Sequence, residues 1–446
     1  ESLTSEINDT ESFGTVTRFL RQKILGKLSE IRSGRIHLVD RLGSVMLGSD
    51  ESASGIHVRL NIRSPEFYRQ VALNGSVGAG ESYMENLWHC DDLVGLIRLL
   101  VINRELLDGM ESGTAKIGGW LMKAAHALTR NTRAGSRKNI AAHYDLGNDL
   151  FKLFLCDNMM YSSAIFAHED DTLEMASDRK LERICQKLDL KPSDHLIEIG
   201  TGWGGMALYA AKHYGCQVTT TTISKEQHAL ASKRIADAGL SDRVTLLLKD
   251  YRDLEGSYDK LVSIEMIEAI GHQYLDTYMA KCASLLKPDG LALIQAITIE
   301  DHRYEQALHS VDFIKRYIFP GSFIPCVSVM VNAAAQSGPL RLLNLEDIGP
   351  SYARTLHEWR RRFMGQLDQV RRRALHGRVD GGAFGPGAAG AVGGVDFGQV
   401  QAAAKHGFDI AHGFGGGLGV VHVLLYAGVA LKVLVDVGRS GLGLDA

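Results

Sequence analysis

No two of the six cysteines, Cys90, Cys156, Cys185, Cys216, Cys282 and Cys326, fall in a CxxC pair. Scattered singly, they argue against a zinc site and against a disulfide framework, and they suit a reducing cytosol. An excess of one charge is also missing. Forty-nine Lys and Arg against 52 Asp and Glu leave a net charge of −3, which gives no global pull toward nucleic acid. An anionic partner would have to be met by a local basic patch. Long hydrophobic runs are absent too. The most apolar stretch, Val420–Val437, is interrupted by His422, Lys432 and Asp436, too broken for a transmembrane span. The opening residues ESLTSEINDTESFG are polar and acidic and show no signal peptide, while Glu1 in place of Met leaves the native start open. These features point to a cytoplasmic protein without a metal.

What is present is ordinary for a soluble globular chain: 45% hydrophobic and 23% charged residues. A length of 446 residues predicts two or three domains. Residues 1–112 read as a small α+β domain. Ile56, Val58, Leu60 and Ile62 alternate with polar neighbours as in a half-buried strand. Ser64-Pro65-Glu66 has the cap-plus-proline form of a helix start, and Gly80 to Leu107 reads as helical. Residues 113–140 form a basic linker carrying Lys116, Lys123, Arg130, Arg133, Arg137 and Lys138 with no offsetting acid across 115–139. Trp120, Leu121, Ala124, Ala127 and Leu128 give its first half an apolar face. Such a segment fits either an anionic membrane surface or a solvated interdomain helix.

From Asp194 to about Ile299 strand and helix alternate. Strands are expected at His195–Ile199, Gln217–Thr222, Val244–Leu248, Lys260–Ile264 and Leu291–Ala296, with a helix from Ser224 to Ala238. This βαβ order calls for an α/β fold, a mostly parallel sheet with helices on both faces. Its first strand runs into LIEIGTGWGG (196–205), with glycines at 200, 202, 204 and 205. Glycines at a strand–turn–helix junction permit strained backbone angles and let a nucleoside lie against the turn. A dinucleotide site usually ends its second strand in an acid that holds the ribose. Here that strand ends Thr219-Thr220-Thr221-Thr222-Ile223-Ser224, so Thr222 and Gln227 are the candidate ribose ligands and NAD is disfavoured. The third strand ends in Lys249-Asp250-Tyr251-Arg252-Asp253, able to flank an adenine. The fourth runs into SIEMIEAIGH, where Glu265 reads as a surface helix carboxylate and Glu268 sits just past the sheet edge.

Seven segments in order resemble the cyclopropane-fatty-acid synthase family of S-adenosylmethionine-dependent methyltransferases. They are HYDLGNDLFKLFL (143–155), MMYSSAIF (159–166), LIEIGTGWGG, TTISKEQ (221–227), DYRDL (250–254), IEMIEAIGHQYLDTY (264–278) and RYIFPG (316–321), supported upstream by GESYMENLWHCDDLV (80–94). The resemblance implies a Rossmann-like class I methyltransferase sheet over 141–370. It places Tyr161, Ser162, Gly200 and Gly202 at the methionine end of S-adenosylmethionine, and Thr222 and Gln227 at the ribose. Asp250, Tyr251 and Arg252 would flank the adenine, Ile264 would line the pocket, and Phe319 and Pro320 would belong to an apolar acyl tunnel. It further implies that an alkene in a membrane phospholipid receives the methyl group, and that a bicarbonate ion removes a proton from the resulting cation. Glu268, with Ser163, Gln295 and Ile297, would hold that anion. Loss of a different proton would give a methylene- or methyl-branched chain instead.

Two departures stand out. The family often has cysteine at Ser163 and histidine at Gln295; both replacements keep hydrogen-bonding capacity. After about Val370 the match stops. Residues 371–446 hold 19 of the 48 glycines and only Tyr426 as tyrosine, without the aromatic helical region that supplies a tyrosine to the anion site. A frameshifted reading and a divergent natural tail both fit, and a chain that keeps cofactor or lipid affinity without turnover is the reading the tail supports. The expected setting is the cytoplasmic face of the inner membrane, on unsaturated phospholipid acyl chains, as a homodimer, without nucleic acid.

Overall fold

The computed structural model describes residues 13–51, 53–103, 148–369 and, as backbone only, 431–439. The basic segment 115–139 and most of 371–446 lie outside the described residues, as do 143–147 of the first matching segment. The chain divides into two compact units.

The described part of the first unit spans 13–103 and 309–317. Its four strands are β1 (Arg35–Asp40), β2 (Gly43–Leu47), β3 (His57–Ile62) and β4 (Trp88–Cys90), in the order β2-β1-β3-β4. Helices α1 (Thr15–Leu28), α2 (Glu66–Met84) and α3 (Leu93–Ile102) accompany them. The alternation at 56–62 becomes β3, with Val58, Leu60 and Ile62 buried in one cluster with Ile36, Leu38, Tyr68, Trp88 and Leu99. The expected helical stretch from Gly80 to Leu107 is instead broken. Helix α2 ends at Met84, β4 intervenes, and Asp92 then caps α3 by accepting from the Gly95 amide at 2.8 Å. Burying Trp88 and Cys90 on one side of the sheet outweighs the helical pattern, since both side chains are under 7% exposed. The GESYM segment also has a purpose in this unit. A Cβ at Gly80 would meet the Phe313 ring at 2.5 Å, and Glu81 accepts from Arg316 at 2.9 Å and from Tyr317 Oη.

The second unit carries a seven-stranded sheet in the order β7-β6-β5-β8-β9-β11-β10. Its strands are β5 (His195–Ile199), β6 (Gln217–Thr222), β7 (Val244–Leu248), β8 (Tyr258–Ile264), β9 (Leu286–Thr298), β10 (Leu340–Asp347) and β11 (Leu431–Arg439). β5 to β9 pair in parallel, and β11 is antiparallel to both β9 and β10. Residues 371–446, where the resemblance stops, supply β11. The alternation of Leu431, Val433, Val435 and Val437 had been hidden inside a longer apolar run.

Helices α4 (Leu173–Lys187), α5 (Gly205–Tyr214), α6 (Lys225–Asp237), α7 (Leu275–Leu285), α8 (Val327–Gln336) and α9 (Gly349–Gly365) complete this unit. The two faces of the sheet are legible residue by residue. Leu196, Val262 and Leu293 pack with α4, α5 and α6 residues such as Leu181, Ala210 and Ile235. Their immediate neighbours Ile197, Leu261 and Ala292 pack with Tyr278, Met279 and Met330 of α7 and α8. Successive strand residues point to opposite faces, so near-continuous apolar strands are what a sheet covered on both sides requires. Ligands of such sheets lie beyond the carboxyl ends of the strands.

The junction of β5 with α5 is tight. A Cβ at Gly205 would lie 2.5 Å from Met160 Sδ and 2.6 Å from the Asn158 carbonyl oxygen. Gly205→Ala is therefore expected to destabilise the unit by about 1–3 kcal/mol, seen as a lower midpoint in a urea melt. An unchanged midpoint would show that the 158–160 segment yields freely.

Candidate active site

The glycine loop leaves β5 with Gly200, Gly202 and Gly204 all at positive φ, 101°, 53° and 86°. The amides of Gly200 and Thr201 both donate to the Thr221 carbonyl, at 3.1 and 2.9 Å, which ties the loop to the end of β6. A Cβ at Gly202 would meet nothing within 4 Å. The loop thus borders open space at the amino end of α5, the place where a nucleoside cofactor lies against backbone. Beneath it Glu198 is buried, accepts from Thr220 Oγ1 at 2.6 Å, and is pushed up to about 8 chiefly by loss of water.

Around that space the expected residues fall as follows. Thr222 Oγ1 donates to Gln227 Oε1 at 2.8 Å, so the amide donors of Gln227 are not consumed by that bond. Ser224 caps α6, which sets Gln227 one turn in. Asp250 is buried and held from both oxygens by the Arg252 guanidinium, at 2.8 and 2.7 Å. The Arg252 guanidinium lies over the rings of Tyr251 and Tyr274, 5.4 and 5.3 Å from their centroids. Tyr251 itself is packed in the core against Tyr278, and its buried Oη has no hydrogen-bond partner among the described residues. Tyr161 and Ser162 come from the segment after Asn158. The Tyr161 ring packs on Phe151, Phe154 and Trp359, 5.2, 6.2 and 5.1 Å between centroids. Ser162 is buried and accepts from Lys180 Nζ at 2.9 Å.

The second half of the site gathers at the ends of β8 and β9, where Ile264 pairs with Gln295. Glu268 is half-buried; its Oε1 accepts from the Ile297 amide, and its Oε2, shut off from solvent, has no hydrogen-bond partner among the described residues. Burial raises it to about 7. Ser163 and Gln295 are fully buried and are joined to each other through Glu265. Glu265 Oε1 accepts from the Ser163 amide at 2.8 Å and from Gln295 Nε2 at 2.6 Å, while the Glu265 amide donates to the Gln295 carbonyl at 2.7 Å. Its φ of 50° is rare for a side chain of this kind. The expectation of a surface helix carboxylate is therefore corrected: Glu265 lies in a strained turn, turned inward. Phe319 is 37% exposed and Pro320 half-buried. The segment they begin reaches Glu268 through the Phe323 amide, which donates to the Glu268 carbonyl at 3.1 Å.

Three further residues escaped the sequence reading. Lys180 belongs to α4, and Tyr352 and Trp359 belong to α9. Thr355 of α9 accepts from the Ala164 amide at 3.0 Å, which brings this helix to the site. Burial pushes the Tyr352 phenol up, and the neighbouring Tyr161 and Glu268 push it the same way. No cluster of metal-ligating side chains occurs among the described residues.

The model of the family described as mycolic acid cyclopropane synthetase matches residues 131–378. The chain belongs to this family. It is 34% identical over 353 residues to the tuberculostearic acid methyltransferase UfaA1 of Mycobacterium tuberculosis, covering 76% of this chain and 80% of that one. To the cyclopropane-fatty-acyl-phospholipid synthase of Escherichia coli it is 36% identical over 313 residues, 70% and 78% of the two chains. Among solved structures, the cyclopropane synthase MmaA2 of M. tuberculosis superposes with a TM-score of 0.55 at 25% identity, over 68% of this chain and 98% of that one. The mycolic acid cyclopropane synthase CmaA1, complexed with SAH and CTAB, gives 0.56 at 24% identity, with the same coverage, and shows the shared fold. As a member of the mycolic acid cyclopropane synthetase family, the chain is an S-adenosylmethionine-dependent methyltransferase. The open side of Gly202 and the polar set Ser162, Thr222 and Gln227 fit that cofactor.

A bicarbonate ion fits less well. Its expected donors are already engaged by the chain's own carboxylates: the Ser163 amide and Gln295 Nε2 by Glu265, the Ile297 amide by Glu268. Of the buried side-chain atoms left over at this end, Gln295 Oε1 is an acceptor, and Glu268 Oε2 is one whenever its carboxyl group is ionised.

Proposed function

We propose that this methyltransferase acts on the alkene of an unsaturated acyl chain in a membrane phospholipid and yields a cyclopropane. The observation that carries the reading is the half-buried carboxylate pair, Glu265 and Glu268, turned inward at the strand ends, with Met266 between them packed toward Gly200 of the glycine loop. S-adenosylmethionine supplies an electrophilic methyl group when bound, with Tyr161 and Ser162 at its methionine end, Thr222 and Gln227 at its ribose and Asp250, Tyr251 and Arg252 at its adenine. The alkene π pair forms the new C–C bond as the S–C pair departs to sulfur, leaving a cation on the chain. The aromatic faces of Tyr161 and Trp359 stabilise positive charge without attacking it. A C–H pair of the new methyl group then closes the ring, and the proton passes to a carboxylate. Exclusion of water by the buried site protects the cation in between.

No step needs a bicarbonate ion here. Removing carbon dioxide and bicarbonate from the assay is expected to change turnover by less than about twofold, against the 10²–10⁴-fold typical of losing a catalytic base. Strong dependence on added bicarbonate would show that the anion displaces Glu265 from Ser163 and Gln295.

A branched product is the second reading. The relative named a tuberculostearic acid methyltransferase and the relative named a cyclopropane synthase both align over most of this chain. Loss of a different proton from the same cation gives a branched, unsaturated chain, and its saturated methyl form requires a separate reductant. Gas chromatography–mass spectrometry of lipids from an expressing host separates the outcomes, and a branched product with no ring would sink the cyclopropane reading. Among the described residues no helix is long and apolar enough to cross a membrane. Access to phospholipid is therefore assigned to peripheral docking at the cytoplasmic face, with the basic segment 115–139 as the contact and a homodimer as the working assembly. Vesicles of anionic phospholipid that fail to bind the chain would refute that route.

A further inference from the structure

Helix α4 buries Leu173, Ala176, Ser177, Leu181 and Ile184 along one face, and in the middle of that face stands Lys180. Its side chain is 0% exposed. A methionine or leucine would fill such a place without the cost of stripping water from an ammonium. No carboxylate oxygen of the described residues forms an ion pair with it. Its one hydrogen bond goes to Ser162 Oγ, 2.9 Å away. Loss of water lowers it to about 7, while Glu198 raises it.

The direction of the hydrogen bond matters. In its charged form, which a bound carboxylate favours, Lys180 has donors only, so Ser162 Oγ accepts from it and points its own hydrogen elsewhere. A hydroxyl polarised by a buried cation is a strong donor toward an anion. We infer that Lys180 is a positioning residue which, through Ser162, recognises the carboxylate of the amino-acid end of S-adenosylmethionine. The inference rests on the placement of Ser162 at that end of the cofactor. A buried cation that no carboxylate of the described residues contacts directly, with Glu198 acting on it only through space, is then explained, because the cofactor brings the carboxylate.

The test compares two ligands. S-adenosylhomocysteine carries the amino-acid end, and 5′-methylthioadenosine lacks it. By calorimetry, Lys180→Met is expected to weaken S-adenosylhomocysteine about tenfold, the scale of one charge-assisted hydrogen bond, while leaving 5′-methylthioadenosine within about twofold. KM for S-adenosylmethionine rises by a similar factor and kcat at saturation stays within about threefold. Ser162→Ala, a smaller change that keeps Lys180 in place, gives the same contrast. The double variant is expected to be no worse than Lys180→Met by more than about twofold, because the two act as one unit. Equal loss for both ligands, or additive losses, would overturn the inference and make Lys180 a core residue. If the unaltered protein bound 5′-methylthioadenosine but gained nothing from the amino-acid end, the placement of Ser162 would fall with it. If it bound neither, the cofactor reading of the whole site would fail.

Discussion

Gly202→Val is expected to abolish recognition of S-adenosylmethionine. At φ 53° a β-branched side chain is held in a conformation it rarely adopts, at a cost of roughly 1–2 kcal/mol. Apart from its chain neighbours, no atom of the described residues lies within 4 Å of the position its Cβ would take, so the surrounding fold tolerates the added bulk. The space it fills is the space the cofactor needs against the loop backbone. Strain and exclusion together should weaken S-adenosylhomocysteine by about 100-fold or more, close to 3 kcal/mol. In a thermal-shift titration, the variant should melt near the unaltered protein without ligand and gain nothing from it. Unchanged affinity would remove the glycine loop from the site.

Glu268→Gln is expected to lower turnover by about 10²–10⁴-fold while S-adenosylhomocysteine binds within about twofold. The substitution keeps the volume and an acceptor for the Ile297 amide, and it removes the charge. Equal loss of turnover and affinity would make Glu268 a structural residue. The pH profile gives a second check. With Glu268 raised from 4.5 to about 7 by burial, the ionised form that can stabilise a cation or accept a proton fills in as pH rises through 7. Turnover of the unaltered enzyme should climb across that window, and the Gln variant should lose this limb. Folding responds in the opposite direction. A carboxyl group whose pKa is higher folded than unfolded contributes stability below about 4.5 and loses it as pH rises through 7. Ligand-free protein should therefore lose stability over the range in which activity appears, and Glu268→Gln should flatten that loss.

Glu265 shows where reading along the chain stops. In the sequence it stands three residues before Glu268, at a spacing that suggests the exposed side of a helix. The turn it occupies has no helical period. It is bonded to residues 102 positions upstream and 30 downstream. The same holds for Lys180, which any helical wheel would place on an apolar face without saying which serine lies opposite. Tyr352 and Trp359 reach the site from α9, nearly 200 residues after Tyr161.

Local physics is legible because it is carried by neighbours. β5, β6 and β7 begin and end at the residues expected from their β-branched and apolar content, and Ser224 caps α6 as its side chain permits. The glycines at 200, 202 and 204 take the positive φ values that other residues avoid. The missing acid after β6, with Thr222 and Gln227 in its place, pointed away from NAD. By itself, then, the sequence determined a parallel α/β sheet with a nucleoside loop and the family to which the loop belongs. The tertiary structure alone decided which buried groups face one another. The order of strands and the docking of α4 and α9 set a carboxylate where an anion was expected and a lysine beneath Ser162. Charge and hydrogen bonding in a buried site depend on distances through space, and no period along the chain encodes them.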